Sequence, residues 1–261
     1  MRRLCAAWAI ILCCGPFGRV DLASAARTDL VPVRSHVQSV HLYGVDNARP
    51  VIVSSGDGGW IHLGPHVAEL LAAHGCFVVG FDVKAYLTSF TTTTSTLHAD
   101  DEPSDLRTIS DYASQFAHSK PILIGISEGA GLSVLAAADP ITRQSIRGVI
   151  GIGLPDRNEL GWRWQDSIIY LTHGVPKEPT FNASALIDKV SPLPLALLHS
   201  TEDEFAPLAD ARRMMQLSGE PKRLWVIGAS DHRFSDNLSG FDRSLLEAID
   251  WVNQNQPTTA S

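Results

Sequence analysis

Gly125-Ile126-Ser127-Glu128-Gly129 sets a serine between two glycines, directly after the apolar run "ILIGI" and directly before the helical "GAGLSVLAAA". A serine on a sharp strand-to-helix turn is held clear of its neighbours. The flanking glycines remove side chains that would collide with adjacent backbone, and the helix amides beneath favour developing negative charge. A hydroxyl is a poor nucleophile at neutral pH, so it needs a base and an acid that orients the base, in chain order serine, acid, histidine. Asp203 lies past "PLALLHS", in Thr201-Glu202-Asp203-Glu204-Phe205, and is the acid candidate; Glu202 and Glu204 are the alternatives on that loop. His232 follows "KRLWVIG" and is the only histidine downstream of Asp203, which makes it the candidate base.

An oxyanion hole would join the backbone N–H of Glu128 to one from the loop Ser54-Ser55-Gly56-Asp57-Gly58-Gly59-Trp60, where Asp57 or Gly58 would supply it. No Gly-Lys-Ser/Thr follows that loop, so it does not read as a phosphate loop, and neither glycine cluster matches a dinucleotide fingerprint. Asp57, Trp60 and Glu128 are the substrate-binding candidates, the two acids as partners for a cationic group. For Asp57 a turn-stabilising side-chain bond is the competing reading. His62 and His66 stand one helical turn apart without a third ligand and read as exposed helix residues, so no metal is implied, and no cofactor either. Trp162 and Trp164 read as core packing or as a wall over the site.

These residues need a frame. "VIVSS", "FVVGFD", "PILIGI", "IRGVIGIG", "PLALLHS" and "KRLWVIG" read as buried parallel strands; between them "GPHVAELLAAHG", "PSDLRTISDYASQFA", "GAGLSVLAAA", "LADARRMMQLSG" and "GFDRSLLEAIDWVNQN" carry helical periodicity. "VQSVHLYG" is expected as an antiparallel edge, and the polar tract "TSFTTTTSTLHADDEPSD" as a surface loop. The alternation specifies an α/β protein, a mostly parallel, doubly wound sheet with helices on both faces. Ligands of such sheets sit beyond the carboxyl ends of the strands, where the candidate residues fall.

Residues 1–25 read as a secretory signal: Arg2 and Arg3 precede an apolar run from Leu4 to Cys14, and Ala23-Ser24-Ala25 suits a signal peptidase. The run is too short to anchor the chain, so the expectation is one domain over 26–261, periplasmic or secreted, without a stable membrane span. Cleavage would leave Cys76 as the sole thiol, a buried core residue incapable of an intramolecular disulfide. It would also leave 18 basic against 27 acidic side chains, a net of −9. That balance argues against nucleic acid and against tight electrostatic docking on anionic lipid. Asn182 and Asn237 stand in N-x-S sequons.

"SSGDGGW", "GCFVVGFDVKAYL", "DLRTISDYAS", "ILIGISEGAG" and "GASDHRFSDN" together resemble the AcvB/VirJ family of bacterial virulence proteins. The resemblance implies a periplasmic α/β-hydrolase fold and hydrolysis of aminoacylated phosphatidylglycerol, such as the lysyl form. By position, Ser127 is similar to the nucleophile, His232 to the base and Asp203 to the acid. The elbow departs from the usual Gly-Tyr-Ser-Phe-Gly-Ala-Asp pattern, having Ile126 and Glu128 around the serine and Gly131 in place of the aspartate. The expected function is a serine hydrolase cleaving an ester, with an aminoacylated membrane lipid as the expected partner. The alternatives are a small-molecule esterase or thioesterase of the dienelactone-hydrolase kind and a non-catalytic periplasmic binding or secretion-associated factor.

Overall fold

The computed structural model describes residues 27–163 and 178–257, so the expected signal segment and Trp164 lie outside the described residues. Eight strands form one sheet: β1 (Arg27–Val33), β2 (His36–Tyr43), β3 (Arg49–Ser54), β4 (Cys76–Phe81), β5 (Ile122–Ile126), β6 (Val149–Ile152), β9 (Leu195–Ser200) and β10 (Lys222–Ile227). Their spatial order is β1-β2-β4-β3-β5-β6-β9-β10. From β4 to β10 every pairing is parallel, while β2 runs antiparallel to both β4 and β1. A separate two-stranded ribbon pairs β7 (Arg157–Glu159) with β8 (Thr180–Asn182).

Every residue of β4, β5, β6 and β9 is buried, as a sheet covered on both faces requires. Alternate side chains of a strand face opposite ways. Val51 and Val53 pack with Val67 and Leu71 of helix α1 (Leu63–Ala73) and with Phe241 and Leu245 of α6 (Leu238–Gln254). Ile52 goes to the other face, with Leu106 and Ile109 of α3 (Glu102–Ala117) and Leu132 of α4 (Glu128–Ala138). Two shorter helices, α2 (Val83–Phe90) and α5 (Leu208–Leu217), complete the layers. Asn237 caps α6 by accepting from the Gly240 N–H, and Cys76 is buried as expected.

Two expectations need correction. The strand "VQSVHLYG" is internal, because β1 pairs along its outer side and takes the edge. β1 has only Val31 and Val33 buried and carries Pro32, a composition tolerated at an edge, so it left no apolar signal. The polar tract is also less of a loop than its composition suggests. α2 runs through Phe90, Leu97 is 2% exposed, and α3 opens with Glu102 buried. One isolated leucine among threonines has no periodicity to read, yet tertiary packing buries it.

The chain passes from β3 to β4 on one side and then to β5 on the other, so the topological switch lies between β3 and β5. The Ser54–Trp60 loop leaves the end of β3, and Ser127 leaves the end of β5.

Candidate active site

Ser127 holds φ 53° and ψ −117°, a backbone conformation that costs a non-glycine residue of order 1–3 kcal/mol. Close packing enforces it. A Cβ on Gly125 would lie 2.1 Å from the carbonyl oxygen of Gly129, and one on Gly129 would lie 2.4 Å from that of Ser55. The glycines are therefore a steric condition of the elbow. The Ser127 N–H donates to the Ile152 carbonyl at 2.8 Å, fastening the turn to β6.

Asp203 and His232 come from the ends of β9 and β10. His232 Nδ1 and Asp203 Oδ2 are 2.7 Å apart, and Asp203 Oδ1 accepts from the amides of Phe205 (3.0 Å) and Ala206 (2.7 Å). Burial pushes the Asp203 carboxyl up, but the His232 bond and charge with the two amides outweigh it and hold the group below its ordinary value. Glu202 is exposed, and Glu204 instead accepts from the His232 backbone N–H at 2.8 Å, so Asp203 is the acid that meets the imidazole.

His232 Nε2 is buried and has no hydrogen-bond partner among the described residues, while Ser127 lines the same cavity. The structure thus brings acid and histidine into contact and places the serine in the same cavity, with no serine–histidine bond among the described residues; such bonds commonly tighten only with substrate present. Sequence reading missed Gly153 (φ 58°): a Cβ there would come within 2.5 Å of His232 Cε1. Its position just past β6, in "GIG", is the signal that was available. His199 was missed too. It is fully buried, 3.8 Å from Asp203 and bonded to the Ala206 carbonyl, so it braces the acid loop.

The β3 loop crosses close over the serine, since a Cβ on Gly56 would meet Ser127 Cβ at 3.3 Å. Gly59 N–H closes back on the Gly56 carbonyl at 3.1 Å, which puts Asp57 and Gly58 at the tip of the turn, lining the cavity. Glu128 opens α4, where first-turn amides lack intrahelical acceptors. Among the described residues the Asp57 carboxylate makes no side-chain turn bond, and Asp57 lines the cavity. Ser55 Oγ accepts from Val83 N–H at 3.1 Å and ties the loop to α2.

Two substrate-binding candidates are corrected. Trp60 does not line the cavity. Its ring stacks on His41 at 5.0 Å, its indole N–H reaches the Tyr43 hydroxyl at 3.3 Å, and its edge fills the space over Gly80, where a Cβ would lie 2.3 Å away. The Trp60 backbone N–H donates to Asp82 at 3.2 Å, so the Gly-Gly-Trp end of the motif anchors the loop. Glu128 does border the cavity, but its carboxyl is buried and accepts from the Glu159 N–H. Burial pushes it well above the ordinary carboxylate range, with Glu159 and Asp57 adding to the rise, which disfavours the charged form that a cation would pair with. His62 precedes α1 rather than lying on it, and His66 pairs with Asp242 at 2.7 Å; among the described residues no three groups form a metal cluster.

The cavity measures about 460 Å³. Its walls include Asp57, Glu159, Trp162 and Phe205 around Ser127 and His232. Trp162 both lines the cavity and packs against the larger core cluster, and Lys84 Nζ sits 4.1 Å from its ring centroid.

Residues 48–166 match the family model of the bacterial virulence protein VirJ. This stretch is similar to that family. It holds the β3 loop and Ser127, with Asp203 and His232 beyond it. The uncharacterized protein YfhR of Escherichia coli O157:H7 is 26% identical over 194 residues, 73% of this chain and 66%, just under two thirds, of YfhR. Among solved structures, a dienelactone hydrolase from Anabaena variabilis ATCC 29413 is 18% identical with a TM-score of 0.65, over 89% of this chain and 98% of that one. The esterase domain of a Rhodothermus marinus protein is 16% identical with a TM-score of 0.61, over 87% and 98%. The fold is that of the α/β-hydrolases. Within the matched stretch, Gly131 has a structural reason: a Cβ there would lie 1.9 Å from Asn158 Oδ1, so the buried Asn158 occupies the space a larger residue would need.

Among the described residues no helix is long and apolar enough to cross a membrane.

Proposed function

We propose that this protein is a serine hydrolase that cleaves an ester of an amino acid, with aminoacylated phosphatidylglycerol as the substrate class, acting outside the cytoplasm. The observation that carries the reading is the buried Asp203–His232 pair, its Nε2 unpartnered in the cavity that Ser127 enters from a strained elbow.

In this reading His232 Nε2 takes the proton of Ser127 as its Oγ attacks the ester carbonyl, and the amides of Glu128 and of Asp57 or Gly58 receive the oxyanion. The tetrahedral adduct collapses, the C–O bond to the alcohol breaks, and His232 returns the proton to the departing oxygen. Water then gives a proton to His232 and attacks the acyl-serine; the C–Oγ bond breaks, His232 returns that proton to Oγ, and the free acid leaves with Ser127 restored. Asp203 stays ionised throughout and stabilises the imidazolium. Asp57 supplies a carboxylate in the cavity wall, which favours an acyl group bearing an ammonium.

The test is release of free lysine from lysyl-phosphatidylglycerol by wild type and Ser127→Ala, alongside labelling by a fluorophosphonate. Release confined to wild type supports mechanism and substrate class together. Labelling of Ser127 without lysine release keeps the hydrolase and discards the substrate, leaving a small-molecule esterase or thioesterase. Neither release nor labelling rejects catalysis in favour of a binding role.

A further inference from the structure

The charged side chains around the cavity differ in exposure. Glu128 and Glu159 are 6% and 9% exposed, Asp57 and Lys84 are half-buried, and Arg157 and Arg233 are exposed. Strand β7 contributes two of them, because residues two apart on a strand share a face: Arg157 is exposed and Glu159 buried. Among the described residues Lys84, Arg157 and Arg233 enter no ion pair, although the chain carries an excess of acid, with a formal net charge of −7. Elsewhere Arg34 binds Asp101 and Asp105 and Arg213 binds Asp156 and Asp210, while Arg223 and Arg243, away from the cavity, also enter no ion pair among the described residues. Lys84, Arg157 and Arg233 line one cavity and gather positive charge there in an acidic molecule, with Asp231 beside Arg233. The Trp162 ring under Lys84 fixes the ammonium while leaving its charge unneutralised.

We propose that Lys84, Arg157 and Arg233 form a subsite at the cavity mouth for a phosphate group carried on the alcohol side of the ester. This rests on the hydrolase reading, which fixes the direction: the acyl part stays on Ser127 beside Asp57, so the alcohol occupies the mouth. Guanidinium forks match the paired oxygens of phosphate, and an ammonium adds a point charge. The subsite selects substrates of split polarity, cationic at the acyl end and anionic at the alcohol end. The same phosphate chemistry is offered by a soluble phosphate ester and by a phospholipid headgroup.

The experiment compares kcat/KM for two soluble lysyl esters, of glycerol and of glycerol phosphate, and for lysyl-phosphatidylglycerol in vesicles, in wild type, Arg157→Gln and Arg233→Gln. The expected result is that wild type prefers the soluble phosphate ester through KM, that each substitution lowers the preference about two- to fivefold, and that added salt lowers it further. Inorganic phosphate competes with the phosphate ester in wild type and less in the variants. Equal use of both soluble esters by wild type overturns the subsite and leaves the hydrolase standing. A charge effect seen only with vesicles assigns the three cations to the bilayer surface and also overturns it. Turnover of neither ester, with no fluorophosphonate labelling of Ser127, rejects the hydrolase reading and this inference with it.

Discussion

Asp203 and Glu102 are both carboxyls whose side chains are shut away from water, and they end in opposite states. Asp203 accepts from His232 and from two loop amides and is held below its ordinary value. Glu102, at the start of α3, has no hydrogen-bond donor on either oxygen among the described residues; burial, with Asp105 nearby, pushes it well above the ordinary range. Burial is common to both, so the difference comes from the donors: desolvation penalises the ionised form, and only directed N–H groups reverse the penalty. The α/β-hydrolase frame supplies those donors at the strand end facing the cavity and omits them at the far helix. Negative charge is therefore kept where an imidazolium would need it.

The largest effect expected from upsetting this arrangement is in Asp203→Asn. The amide keeps the shape and loses the charge, and kcat should fall on the order of 10⁴-fold. Retention of more than a tenth of wild-type activity would mean that another carboxylate, such as Glu204, orients the imidazole. Next is Gly153→Ala, which drives a methyl into the His232 ring and also strains a positive φ. Displacement of the base by such an amount should cost on the order of 10²-fold in kcat, and an unchanged kcat with an unchanged thermal midpoint would refute the role given to Gly153.

The third contrast lies in pH. Because the Asp203 carboxyl is lower when folded, its contribution to stability is present above the unfolded value and is lost as pH falls through the folded one. For Glu102 the sign is reversed: the folded state binds the proton more tightly, so stability declines as pH rises above about 4.5, the ordinary value. Glu102→Gln should thus raise the melting temperature at pH 7 more than at pH 4; an equal shift at both pH values would show that Glu102 is solvated or partnered. The smallest effect is expected for Glu204→Gln, whose exposed contact with the His232 N–H should be worth less than about 1 kcal/mol, or a few-fold in kcat. A loss rivalling that of Asp203→Asn would exchange the roles of the two acids.

Much of this was written locally. Strand periods, the elbow with its two glycines, and the order Ser127, Asp203, His232 are properties of short segments, because the pleat, the helical turn and the strand-to-helix bend each act within a few residues. That is why the sheet from β3 to β10 and the acid–histidine pair could be read from the chain. β1 and the buried Leu97 could not, since an edge strand is held by backbone pairing and a lone apolar side chain has no period. What only the tertiary structure decided is the direction of side chains on irregular loops. Trp60 turns into the gap over Gly80, the Glu128 carboxyl is consumed by the Glu159 amide, and Asp203 rather than Glu204 reaches the imidazole. Each outcome depends on a cavity or a donor supplied by a segment distant in sequence, and no pattern within the loop itself encodes the presence of that partner.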